Sequence, residues 1–118
     1  MPEVTSALYQ VLLALGAGER HGYAILQDIA RGGGRMGAAT LYRTLERTLA
    51  LGWAEEVRAP RGETSRDQRR RYYRLTPAGT AAARAESRRL EQLMRQAAAR
   101  GWTKRGGRTV GTVGKVGA

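Results

Sequence analysis

One stretch constrains the fold of this chain more than any other: Met36 to Trp53, reading MGAATLYRTLERTLALGW. At about 100° per residue, Ala38, Leu41, Leu45, Thr48, Leu49 and Gly52 cluster on one side of a helix. Ala39, Thr40, Arg43, Arg47 and Ala50 gather on the other side. That outer face carries two arginines one turn apart, beside small residues and a hydroxyl. It has little bulk to hold another helix or a core away. A helix with a packed inner face and a slim, basic outer face has the dimensions to enter the DNA major groove. An ordinary surface helix with solvated arginines has the same residues, so the neighbouring segments must decide.

Charge placement favours contact with a polyanion. The 118 residues carry a formal net charge of +11, which is concentrated rather than dispersed. Residues 1–57 are close to neutral, whereas residues 58–74 hold seven arginines against two acids, and residues 100–118 hold five basic residues and no acid. Solubility alone does not call for such clustering. The length suits one compact domain, with a core of Leu, Ile, Val and Ala because Phe is absent. No cysteine and a single histidine exclude disulfides, thiolate zinc sites, thiol catalysis and a multi-histidine metal site within one chain. No cofactor, metal or catalytic residue is therefore expected. No long apolar run is present, and MPEVTS lacks a basic region ahead of an apolar stretch, so no membrane contact and a cytoplasmic location are expected.

In chain order, Thr5 or Ser6 can cap a first helix in which Leu8, Val11, Leu12 and Leu15 recur at helical spacing, and Gly16 and Gly18 end it. A second helix follows in HGYAILQDIAR, with Gly22, Ile25, Leu26 and Ile29 as its stripe and His21 at its entrance. His21 and Asp28, two turns apart, mimic a dyad but lack a nucleophile, so packing and hydrogen bonding are the expected roles of His21. The run Gly32-Gly33-Gly34 has neither a Walker lysine nor a preceding strand and reads as a turn. The order helix, helix, glycine-rich turn, helix is that of a helix-turn-helix with the third helix in the recognition position.

Beyond it, Trp53–Val57 and Arg69–Leu75 read as two strands joined by a polar loop at residues 60–68. Alternation predicts one of Tyr72 and Tyr73 buried and the other exposed. Arg58, Arg61, Arg66, Arg69, Arg70 and Arg71 would meet phosphates at the hairpin, as a DNA-binding wing does; a solvated loop has the same composition. Thr76-Pro77 starts a long helix reaching about Arg100. Its narrow stripe of Ala83, Leu90, Met94 and Ala97, with Leu93 on the flank, predicts dimerisation, and Leu8 of the first helix is an added interface candidate. Residues 101–118, rich in glycine and without acid, read as a disordered basic tail, with Trp102 its one sticky residue.

The chain resembles the PadR-like transcriptional regulators. The matching residues are VLLAL, HGYAILQDI, ATLYRTLER followed by LGW, and RRRYYRLTPAG, over about residues 7–80. The resemblance implies a mainly α fold with a β wing: a winged helix-turn-helix over residues 1–79 and a C-terminal dimerisation helix over 80–100, ahead of the basic tail read at 101–118. It also implies a homodimeric repressor of a palindromic operator on double-stranded DNA, released by a small aromatic or hydrophobic effector. Thr40, Tyr42, Arg43 and Arg47 match recognition-helix positions and Arg69 to Arg71 match the wing, with Ala39 beside them on the outer face. Thr48 departs from a position usually large and apolar, Arg20 from one where proline is common, and the tail has no counterpart. The alternatives are a winged-helix protein–protein adaptor, a non-specific basic DNA-binding protein, or a chemical sensor at His21 and the tyrosines.

Overall fold

The computed structural model describes residues 2–58 and 71–104. Its elements are α1 (Ser6–Gly16), β1 (Arg20–His21), α2 (Gly22–Arg31), α3 (Ala38–Ala50), β2 (Ala54–Val57), β3 (Tyr72–Leu75) and α4 (Pro77–Ala99). Two compact units divide the chain, residues 1–84 and 85–118.

In the first unit, local chemistry sets each helix start. Thr5 caps α1 by accepting a hydrogen bond from the Leu8 N–H at 3.2 Å. His21 caps α2 in the same way, its Nδ1 accepting from the Ala24 N–H at 3.2 Å. The triple glycine stops α2: Gly33 adopts φ +91°, and the Gly34 N–H reaches back to the Ile29 carbonyl at 2.9 Å. Leucine spacing then packs the helices. Val11, Leu15, Ile25, Leu41, Leu45 and Tyr73 meet in the main core, and Leu8, Leu12 and Trp53 form a second cluster.

The sheet corrects two expectations. It has three antiparallel strands in the order β1-β3-β2, not two. The extra strand pairs Arg20 with Tyr73 and His21 with Tyr72. Tyr72 and Tyr73 are both buried, each 5 % exposed, where alternation in a two-stranded hairpin leaves one of them open. Tyr73 enters the main core, while β1 brings the His21 ring edge-on to Tyr72 at 5.3 Å between centroids. Thr48 also finds a place: it is fully buried in α3, and its hydroxyl donates to the Thr44 carbonyl at 2.7 Å, which satisfies the polar group.

Asp28 lies between two guanidiniums, with Arg20 Nε at 2.9 Å and Arg31 on its other side. No His21–Asp28 dyad forms, because the carboxylate faces these arginines and His21 Nδ1 is committed to the helix cap. The Arg20 hydrogen bond, opposed by partial burial and joined by attraction to both arginines, holds the Asp28 carboxyl below the usual carboxylate range. A carboxyl depressed by folding contributes stability that is complete above its unfolded pKa, about 3.9, and is lost as pH falls through the folded value. Asp28→Asn is expected to cost about 1 kcal/mol at neutral pH, read from urea unfolding curves, with wild type and variant converging as the pH falls through the lowered folded value. An undiminished difference in acid would contradict the ion-pair origin.

The Thr76 hydroxyl starts α4, accepting from the Gly79 N–H at 3.1 Å and donating to the Gly52 carbonyl at 2.6 Å. Ala82 and Ala83 pack against the Leu8–Leu12–Trp53 cluster. In the second unit, Glu86 is clamped by Arg89, and Glu91 faces Arg95 at 3.5 Å on the exposed side. Gly101 (φ +79°) and the Trp102 N–H, bonded to the Ala97 carbonyl at 3.0 Å, close the helix. Trp102 is 74 % exposed, with the Arg100 guanidinium 5.9 Å from its ring centre. The tail predicted to be disordered lies, from residue 105 onward, outside the described residues. Among the described residues, no helix is long and apolar enough to cross a membrane.

Candidate nucleic-acid interface

The surface that α3 presents follows from what its inner face must do. Leu41, Leu45 and Thr48 are buried, and they fix the rotation of the helix about its axis. Ala39, Tyr42, Arg43, Arg47 and Ala50 are thereby turned outward and exposed, and Thr40 is half-buried. Ala38, assigned to the inner face by its angle, is exposed instead. It is the first helical residue after the Gly37 cap, ahead of the level at which the core begins. The Arg43 guanidinium reaches Thr40 Oγ1 at 3.4 Å, on the same outer face. Gly37, the N-cap of α3, makes no side-chain cap bond.

At the base of the hairpin, Arg71 and Arg58 are exposed. Arg71 stands 3.8 Å from the Glu56 carboxylate, while Arg74 is taken up by Glu55 at 2.8 Å and Glu19 at 3.6 Å. Arg71 is thus the more readily available of the two arginines. Burial, followed by the nearby Glu56 carboxylate, pushes the Tyr73 phenol above its ordinary pKa and keeps it protonated. Arg61, Arg66, Arg69 and Arg70 lie outside the described residues. The structure therefore brings Tyr42 of α3 and Arg71 of the hairpin base to one hollow, with Tyr23 from α2. Tyr23 and Glu56 belong to this surface but were not foreseen. HGY gave the position of Tyr23 without its exposure, and Glu56 gains meaning only from the β2–β3 register.

Among the interface candidates on the helices, Leu8 is 2 % exposed within the cluster around Trp53, where Ala83 also packs. Leu93 and Met94 are 45 % and 52 % exposed, and Leu90 and Ala97 are half-buried. Among the described residues, no group of three or more His, Asp or Glu side chains is placed to hold a metal ion.

Three helices around a glycine turn, the third with a basic face turned outward, together with a small antiparallel sheet, define a winged-helix DNA-binding protein. Comparison with known proteins narrows the class. The sequence pattern of the PadR-like transcriptional regulators matches residues 11–85. The transcriptional regulator Rv3488 of Mycobacterium tuberculosis is 42 % identical over 79 residues, which is 66 % of this chain and 69 % of that protein. The chain belongs to the PadR-like family of transcriptional regulators, whose members are regulators and not enzymes. Two solved structures share the fold. A PadR family regulator from Clostridium difficile R20291 has a TM-score of 0.66 at 19 % identity, covering 78 % of this chain and 97 % of that one. BpsR of Bordetella bronchiseptica, whose DNA binding is regulated by 6-hydroxynicotinic acid, has a TM-score of 0.66 at 24 % identity, covering 80 % and 61 %.

Proposed function

We propose that this PadR-family regulator is a homodimeric repressor that reads a palindromic operator with α3. The observation that carries this reading is the outer face of α3, where Tyr42, Arg43 and Arg47 stand exposed opposite the buried Leu41, Leu45 and Thr48. Arg43 and Arg47 are assigned to base edges or phosphates in the major groove, with Ala39 and Thr40 allowing close approach. Arg71, with Arg61, Arg66, Arg69 and Arg70 of the wing, is assigned to the flanking backbone, which adds affinity more than sequence reading. Two copies would place their recognition helices in half-sites about 34 Å apart.

Dimerisation is assigned to the exposed Leu93 and Met94 of the second unit, flanked by Leu90 and Ala97. Replacing Leu93 and Met94 together by glutamate is expected to give a helical monomer by light scattering. Operator affinity should fall by about a hundredfold or more, because each half-site would then bind alone. A variant still dimeric, with unchanged affinity, would place the interface elsewhere.

A small-molecule effector is also proposed. Regulation of BpsR by 6-hydroxynicotinic acid supports it. So does a cavity of about 360 Å³ in the first unit, with Leu13, Ala14 and Ile29 beside the Arg20–Asp28–Arg31 cluster. Apolar walls with a few charged groups suit a small amphipathic molecule.

A further inference from the structure

The sequence of α3 repeats every four residues: Thr40-Leu41-Tyr42-Arg43, Thr44-Leu45-Glu46-Arg47, then Thr48-Leu49. Four residues advance a helix by about 400°, so each row of the repeat winds slowly around α3 instead of running straight along it. The threonine row passes from Thr40 and Thr44, both half-buried, to Thr48, which is fully buried. The arginine row winds beside it on the outer face, with Arg43 and Arg47 both exposed.

The threonines are joined to one another. The Thr48 hydroxyl donates to the Thr44 carbonyl and the Thr44 hydroxyl to the Thr40 carbonyl, each at 2.7 Å. At the exposed end, Thr40 Oγ1 accepts from the Arg43 guanidinium at 3.4 Å. At the buried end, the Thr48 carbonyl accepts from the Trp53 N–H at 3.1 Å, in the turn where Gly52 takes φ +76°. The row is thus fixed in the core at one end and reaches the arginine face at the other.

Stability does not account for the Thr48 hydroxyl. Valine has nearly the same shape, and with it the Thr44 carbonyl would keep its helical N–H partner, so no buried polar group would be left over. What the hydroxyl adds is a second donor on a carbonyl that the helix already uses, and such back-bonding commonly bends helices. Two of these bonds in succession act on residues 40–48, the turns that carry Arg43 and Arg47.

We propose that Thr44 and Thr48 are positioning residues for sequence reading. Their hydroxyls set the path of α3, and hence the placement of Arg43 relative to Arg47, without touching DNA. The assignment rests on the reading of DNA by α3 put forward above.

The test compares full-length wild type, Thr48→Val, Thr48→Ser and Thr44→Val by fluorescence anisotropy at fixed salt. Each is titrated with the duplex that wild type retains from a random pool and with a scrambled duplex of the same composition, and thermal midpoints are measured alongside. Thr48→Val is expected to keep its midpoint at or above that of wild type. It should nevertheless lose about fivefold or more of the affinity ratio between the two duplexes, the lower end of what one arginine–guanine pair contributes. Thr44→Val should move the ratio in the same direction. Thr48→Ser keeps the hydroxyl but gives up a buried methyl group, so its midpoint should fall while its ratio stays within about twofold of wild type. Binding to the scrambled duplex should be alike in all four proteins, because no charge has changed. An unchanged ratio in Thr48→Val, an equal loss in Thr48→Ser, or parallel weakening on both duplexes would each overturn the assignment. A wild type that retains no preferred duplex would instead remove the reading of DNA on which the assignment rests.

Discussion

Replacing Gly79 by alanine is expected to cost about 3 kcal/mol and to lower the melting midpoint by on the order of 10 °C. A Cβ at this position would collide with the Trp53 carbonyl oxygen and lie 2.8 Å from its carbonyl carbon. Neither group is the movable end of a side chain. The same segment is held by hydrogen bonds from the Trp53 N–H to the Thr48 carbonyl and from the Thr76 N–H to the Trp53 carbonyl, both at 3.1 Å. Relief would have to come from lifting the start of α4 off Trp53, which is itself only 7 % exposed. Alanine's better helix propensity, about 1 kcal/mol, opposes the collision but is the smaller effect. Gly16→Ala is the control: nothing lies within 4 Å of its added Cβ, so its midpoint should stay at or slightly above wild type. Equal midpoints for the two variants in thermal unfolding would contradict the close approach at Gly79.

The second large effect concerns recognition. Arg43→Ala and Arg47→Ala should each reduce the ratio of affinities for operator over scrambled duplex, by about 1–3 kcal/mol where the arginine reads a guanine. Both side chains are exposed, so the fold should be unaffected. Combined, the two changes are expected to leave a protein that still binds DNA by charge but no longer selects a sequence. Competition titrations of operator against scrambled duplex at fixed salt measure this ratio directly. Equal weakening on both duplexes would mean that the arginines touch only the backbone.

Those residues were legible in the sequence because a helix converts spacing into direction. Once Leu41, Leu45 and Thr48 are turned inward, the side on which Arg43 and Arg47 emerge is settled. Caps were legible for a similar reason: Thr5 and Thr76 each bond to an N–H three residues ahead, so the chemistry is contained in a few adjacent letters. Features that depend on remote approach were not legible. A two-residue strand such as β1 is too short for any alternation, and its effect, burial of Tyr72 as well as Tyr73, arises some 50 residues later in the register with β3. Gly22 and Gly79 are ordinary helix residues by sequence; only the tertiary fold brings Tyr42 and Trp53 against them. Asp28 illustrates the limit from the other side. Its helical distance from His21 suggested a partnership that Arg20, adjacent in sequence to His21, takes instead.

The central claim, a dimeric regulator that reads DNA sequence, is tested most directly by presenting the full-length protein with a pool of random duplexes at several salt concentrations and sequencing what is retained. Recovery of an inverted repeat with half-sites about one helical turn apart is the expected result, with log affinity falling steeply as log salt rises. Retention without any common sequence would contradict specific reading by α3 and leave a basic protein that coats DNA. No retention even at low salt would contradict DNA as the partner and favour an acidic protein in its place.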